Sequence, residues 1–424
     1  MIRFLVKGVL RDRSRSFFPI LIVTAGAFLT VAFYCYIRGA EVNVVRSSAN
    51  LRFGHVRVMT AAYAAEADQV PNDAALTGID DLTAKLRVLA PDMDWVARIQ
   101  FGGLLDVPDA AGETKSQTPA SGMAVDLLTP GSLEPGLLNL EKILVRGRLP
   151  RQAGEVLLGD EMARRLGLEP GDRVTLVGSG MSGAMSMANL NVAGTIRFGI
   201  QAMDRMGLIA DLGDIRRALD MEDAAGEVLG LFRDGVYVHE RAKALTEAFN
   251  AAAADPADPF RPVMQTLAAQ PGLDIMIEKA GLFTGILVMV FLLAMSLVQW
   301  NAGLIGTLRR HGEFGLRLAL GESKGAVYRA LLGEAVIIGL IGSLIGSLLG
   351  LALAFYLQAY GIDVSSFMKN MSFLMDPVLR AKVTPFAFVI GFIPGLLASL
   401  VGTAIAGRAI YKRRTATLFK ELET

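Results

Sequence analysis

The chain has 424 residues, 52% of them hydrophobic, with 42 Lys and Arg against 41 Asp and Glu, for a formal charge of +1. An apolar share of that size, with positive mean hydropathy, exceeds that of an ordinary soluble domain of mixed charge and points to contact with lipid. The near balance of charge argues against a nucleic-acid partner, and a lone cysteine, Cys35 in an apolar run, excludes a disulfide framework.

In chain order, residues 1–16 mix Ile2, Phe4, Leu5 and Val9 with Arg3, Lys7 and Arg11, the pattern of an amphipathic helix on a membrane surface. Residues 17–38 hold a first span, Phe17 to Ile37; no small-residue cleavage site follows, so it reads as a retained anchor. Three more runs reach the roughly 20 apolar residues that a bilayer requires. They are Ala280 to Trp300 (segment 280–301), Ala330 to Gln358 (330–358) and Val383 to Ala406 (383–407). Lys and Arg cluster before the first span, in the loop 302–329 and in the tail 408–424, which places those segments in the cytoplasm. The insert 39–279 and the loop 359–382 then face the periplasm of a bacterial inner membrane. The fold class is a membrane α+β protein of four transmembrane helices, with a large mixed α/β domain inserted between the first and the second.

Within the insert, short β-like runs alternate with Gly and Pro punctuation. The expected strands are Gly54 to Met59, Asp94 to Leu105, Met123 to Leu128, Glu155 to Leu158, Arg173 to Val177, Asn189 to Phe198, Gly235 to His239 and Leu273 to Glu278. Helices are expected over Gly78 to Leu89, Glu161 to Leu166, Leu212 to Leu219 and Ala242 to Ala254. Ala251 to Pro271 reads as a surface loop. The Met-rich stretch Gly178 to Ala188 reads as a plain hairpin loop, a partner-binding hook or a soft-metal site.

The loop after the second span carries Asn301, Arg310, Glu313, Phe314, Gly315, Leu316, Arg317, Ala319, Leu320 and Gly321, followed by Glu334 in the third span. With Arg310, Glu313 and Arg317 at helical spacing, it can form a short amphipathic helix, leaving Phe314, Leu318 and Leu320 to an apolar side. The motif resembles that of the FtsX-like permeases, a family that includes the lipoprotein-releasing permeases and the macrolide exporter. Arg309 replaces a Glu usual there, and Leu318 separates Arg317 from Ala319. A second stretch agrees: Val145-Arg-Gly-Arg-Leu-Pro150, Gly154-Glu-Val-Leu-Leu-Gly159 and Leu166-Gly-Leu-Glu-Pro-Gly-Asp-Arg-Val-Thr-Leu176 are similar to that family's periplasmic domain, of the kind in the macrolide exporter. Pro150, Gly154 and Pro170-Gly171-Asp172 are turn formers, so these residues read as shaping a fold.

The resemblance implies an ABC transporter permease that transmits force: Arg310, Glu313, Phe314, Gly315, Arg317 and Gly321 would engage a cytoplasmic ATPase dimer. The sequence has no GxxxxGK[ST] loop and no HExxH or CxxC motif, so no catalytic or metal-ligating residues are assigned. No cofactor is expected on this chain, with ATP and Mg²⁺ bound by the partner. Further partners implied are a second permease, copy or paralogue, membrane lipid, and a periplasmic carrier or adaptor. Gly54-His-Val-Arg-Val-Met59 and the lack of a fused ATPase point to the lipoprotein-releasing branch, whose acyl chains would lie near Phe28, Phe33, Phe283 and Met289. Drug or peptide efflux and control of a cell-wall hydrolase are the alternatives. Gly342, Gly346 and Gly350 repeat at four-residue spacing in the third span, and Gly391 and Gly395 flank Pro394 in the fourth; such faces serve either a sliding helix pair or close static packing.

Overall fold

The computed structural model describes the chain except residues 1–12, 110–111, 200, 253–256, 271–272, 274–279, 309–310, 364–377 and 409–424. Most of the N-terminal surface helix, the strand expected from Leu273 to Glu278, Arg310 and nearly all of the tail lie outside the described residues. The chain divides into two compact units: residues 1–43, 280–364 and 378–424 form one, and 44–279 with 365–377 the other.

The first unit holds four helical segments long and apolar enough to cross a membrane. The first helix runs Arg13–Ser48 and the third Lys324–Ala359, 36 residues each. At 1.5 Å per residue each measures about 54 Å, well beyond a hydrocarbon core of about 30 Å. The insert expected to begin at residue 39 is therefore preceded by further helix, which ends in a π-helical turn over Ala49–Phe53. The second helix is Ala280–Leu308. The fourth is broken into Ala387–Ile390, a π-helical turn Ile393–Ala398 and Ser399–Gly407. Pro394 sits in that turn, where its missing N–H and its ring disrupt the regular ladder.

The second unit contains strands β1 (Val56–Thr60), β2 (Leu76–Thr77), β3 (Met93–Pro108), β4 (Thr114–Val125), β5 (Leu144–Gly147), β6 (Glu155–Gly159), β7 (Arg173–Ser179), β8 (Met185–Ile196), β9 (Gly207–Asp211), β10 (Ala224–Ala225), β11 (Glu227–Phe232) and β12 (Pro262–Thr266). Strands β12, β1, β11 and the first half of β3 make an antiparallel sheet. The second half of β3 pairs with both β4 and β7, and the path β3-β4-β9-β6-β8-β7 returns to β3, closing a six-stranded barrel. The pairs β4/β9 and β6/β8 are parallel. Along β6, Val156 and Leu158 enter the main core while Leu157 packs with Leu140, Ile196 and Ile209 on the other side, the two-residue period of a strand buried on both faces.

Three expectations are corrected. Gly235 to His239 is not a strand: Arg233 and Asp234 form a turn, the next helix begins at His239, and the strand is the preceding run, β11. The loop expected from Ala251 to Pro271 contains β12, an edge strand with Pro262 at its first position, where a missing N–H is tolerated. The Met-rich stretch is mostly strand. Only Gly180 to Ala184 turns, closed by Gly180 N donating to Ala184 O at 2.8 Å, so Met185 and Met187 stand exposed on β8.

His55 is a core residue at 2% exposure. Its Nδ1 accepts from Phe232 N at 2.8 Å and its ring stacks on Phe232. Burial pushes its pKa down to about 4, with Asp234 opposing and Arg241 reinforcing the shift. The unfolded chain, titrating near 6.5, then binds more protons than the folded one between pH 6.5 and 4, so stability falls as pH drops through that window. The loss is at most about 3 kcal/mol. Denaturant titrations of the full chain at pH 7.5 and 5 should show this fall, and His55→Phe should be weaker at pH 7.5 yet lose less on acidification.

Candidate coupling helix and span interface

The loop between the second and third spans folds as a helix over His311–Ala319. It stops at Gly321, whose φ of 92° is the left-handed conformation open to glycine. Gly321 N donates to Leu318 O at 3.1 Å and Glu322 N to Arg317 O at 3.1 Å, a glycine C-cap that satisfies the last carbonyls. Ser323 then opens the third helix, its Oγ accepting from Ala326 N at 3.3 Å. Gly321, read as a coupling residue, is thus also the stop between two helices.

Arg317 grips Glu322 through two bonds, Nε to Oε2 at 2.7 Å and Nη2 to Oε1 at 3.1 Å. Both side chains are about 40% exposed, so the pair is worth under about 1 kcal/mol and serves to orient. Leu318 turns inward onto Val327 and Leu331 of the third helix. It does not share a face with Leu320, which lies in the turn and is exposed together with Leu316. Gly315 is buried and Glu313 half-buried. Arg310 and the Phe314 side chain lie outside what is described.

The glycines of the third span are helix contacts. A Cβ at Gly342 would stand 2.6 Å from Val23 Cγ1, one at Gly350 2.9 Å from Val31 Cβ, and one at Gly346 would collide with Thr24 O. Gly391 and Gly395 of the fourth span meet the hydroxyls of Ser347 and Ser343 in the same way. Gly26 receives the amide of Gln299 and Gly402 the backbone of Trp300, so all four spans meet through glycine.

The four residues carried over as cargo contacts separate. Phe28 and Phe33 are half-buried, and Phe33 stacks on Phe291 with centroids 4.2 Å apart, a partner that sequence reading missed. Phe283 and Met289 are exposed on the second helix. An apolar groove of about 560 Å³ lies between the second and fourth spans, lined by residues including Leu293, Leu297, Trp300, Ile393, Leu397 and Val401. None of the four carried-over residues lines it. Among the described residues no three His, Cys, Asp or Glu side chains gather as a metal ion would need.

In the inserted unit the second motif is a scaffold. Glu155 accepts from the Arg148 guanidinium and from Arg151 N at 2.8 Å; the Arg148 bond, against burial, holds its carboxyl down at about 2. Arg146 spans Asp160 at 3.0 Å and Glu169 at 2.7 Å, and Asp160 also accepts from Thr195 Oγ1 at 2.9 Å. Gly147 and Gly154 have φ of 76° and 80°, backbone that a side chain would strain.

Residues 285–414 match the family of FtsX-like permease C-terminal domains. The FtsX-like permease resemblance read from the loop is thereby borne out. No curated protein matches the chain at a significant level. Among solved structures, the periplasmic region of MacB from Actinobacillus actinomycetemcomitans is similar at 12% identity, over 51% of this chain and 92% of that one, with a TM-score of 0.32.

Replacing Gly346 by Val should unseat the first span from the third. In thermal melts of the detergent-solubilised chain it should lower the transition by several degrees. Gly285→Ala, at a position with open space around it, should leave the transition where it is.

Proposed function

We propose that this chain is the permease subunit of an ABC transporter that couples ATP hydrolysis on a separate ATPase dimer to movement of its inserted domain. The observation that carries the reading is the helix His311–Ala319 within the matched FtsX-like segment. Capped at its C-terminus and seated on the third helix through Leu318, it presents Leu316, Leu320 and the Arg317–Glu322 pair to a partner. The sequence offers no phosphate-cradling loop of its own, which leaves ATP and Mg²⁺ to that partner.

Glycine-mediated packing fits spans that shift as stiff bodies. The second span, exposed along most of its length, leaves a surface for a second permease, copy or paralogue, and for lipid. On this reading the chain sits in the bacterial inner membrane with the insert in the periplasm, and its cargo is a lipoprotein or lipid drawn from the outer leaflet and handed to a carrier. The lining of the groove between the second and fourth spans, apolar except for Ser296, favours lipid over a polar cargo.

Charge reversal tests the coupling. Arg317→Glu would set two carboxylates against each other where a pair now stands, and should lower the ATPase activity of the permease–ATPase complex in nanodiscs at least tenfold. Arg317→Glu with Glu322→Arg should recover much of it. Equal activity in all three forms, or a stable monomer that binds no ATPase, would count against the reading. Mass spectrometry of the purified complex should find acylated protein or lipid; a bound peptide or drug would move the assignment to efflux.

A further inference from the structure

The first helix ends inside the inserted unit, in the π-helical turn Ala49–Phe53. A helix end leaves carbonyls without partners, and here those of Ala49, Asn50 and Leu51 are met. Gly54 N donates to Ala49 O at 2.8 Å. Arg98 Nη2 donates to Asn50 O and Nη1 to Leu51 O, both at 2.8 Å. The same guanidinium forks onto Glu134, Nε to Oε1 and Nη2 to Oε2, each at 2.7 Å. Its last N–H faces Met123 Sδ at 3.9 Å. All five donors are engaged, and both charged side chains are wholly buried.

The place of Arg98 in the sheet gives this contact its meaning. Arg98 is the last residue of β3 paired with β11, opposite Glu227, and Ile99 is the first paired with β4, opposite Ala124. The helix end is therefore held at the point where one strand passes from the open sheet into the barrel. We infer that Arg98 and Glu134 are a positioning pair that fixes the end of the first helix to the strand shared by both sheets, so that helix end, sheet and barrel move as one body. An apolar contact would let the helix end slide, whereas a planar fork with five directed bonds holds one register. The rigid attachment stands on these bonds; its use as the output of the coupling helix rests on the function proposed above.

The test is a distance measurement by spin labels in the full chain in nanodiscs, with Cys35→Ala and cysteines introduced as Arg46→Cys near the helix end and Leu104→Cys on β3; both native residues are exposed. One narrow distance distribution is expected. In Arg98→Met with Glu134→Leu, which removes both charges together, the distribution should widen at least twofold while the amides of β7 and β8 keep their protection from hydrogen exchange. Arg98→Lys, which keeps the charge and loses the fork, should widen it as well. A distribution as narrow as the parent's in the double variant would overturn the inference. So would loss of β7 and β8 protection in both variants, since the pair would then be holding the fold and not the helix end. With the ATPase added, a distribution that stays narrow while the inserted unit fails to move with ATP would sink the proposed function and leave the attachment standing.

Discussion

The inserted unit depends on one ion pair that water does not reach. Taking Arg98 and Glu134 out of solvent is costly, and an apolar pair of similar volume is often as stable or more so. Stability alone is therefore a poor account of it. Removing one partner would strand the other as a buried charge, at about 3–5 kcal/mol, and loss of Arg98 would free two helix-end carbonyls as well. What the pair supplies is direction: a helix terminus, the short helix that begins at Glu134 and the longest strand of the unit share one guanidinium plane. Around that point β3 belongs to an open sheet on one side and a closed barrel on the other.

The membrane-spanning unit is organised by absence of side chain. Lipid is as apolar as leucine, so spans gain little from apolar contact and associate by close approach. Gly342, Gly346 and Gly350 let the first span lie against the third, and Gly391 and Gly395 let the fourth reach Ser347 and Ser343. Joined to them, the helix His311–Ala319 is a small amphipathic piece whose inner side is Leu318 and whose outer side is Leu316, Leu320 and an exposed ion pair. An element packed on one side and open on the other suits a contact with a separate subunit.

Much of this was legible in the residues. Four long apolar runs read as spans, because a helix in lipid satisfies its own backbone and needs about 20 residues to cross. The loop motif, with its charges at helical spacing, pointed to the helix that is found and to the FtsX-like domain that matches. The turn formers Gly154 and Gly171 adopt the positive φ that makes glycine necessary. Less legible were runs whose local pattern suits two outcomes. Glu227–Phe232 and Gly235 to His239 both look like strands, and which one pairs depends on β1 and β3 being there to receive it. The length of the first helix beyond its apolar run was likewise hidden, since residues 38–48 are too polar to read as span and too ordinary to read as helix.

Composition and period, then, determined the spans, the position of the insert and the short helix between the second and third spans, because bilayer thickness and helical repeat act on residues near in sequence. Tertiary structure decided the rest, because it joins residues far apart. Arg98 is 36 positions from Glu134 and 47 from Leu51, and nothing in its own neighbourhood distinguishes it from a surface arginine. Phe33 finds Phe291 and β7 finds β3 to close the barrel only after the chain has returned on itself. A charge can be kept wholly inside only where such returns bring every one of its bonds to it.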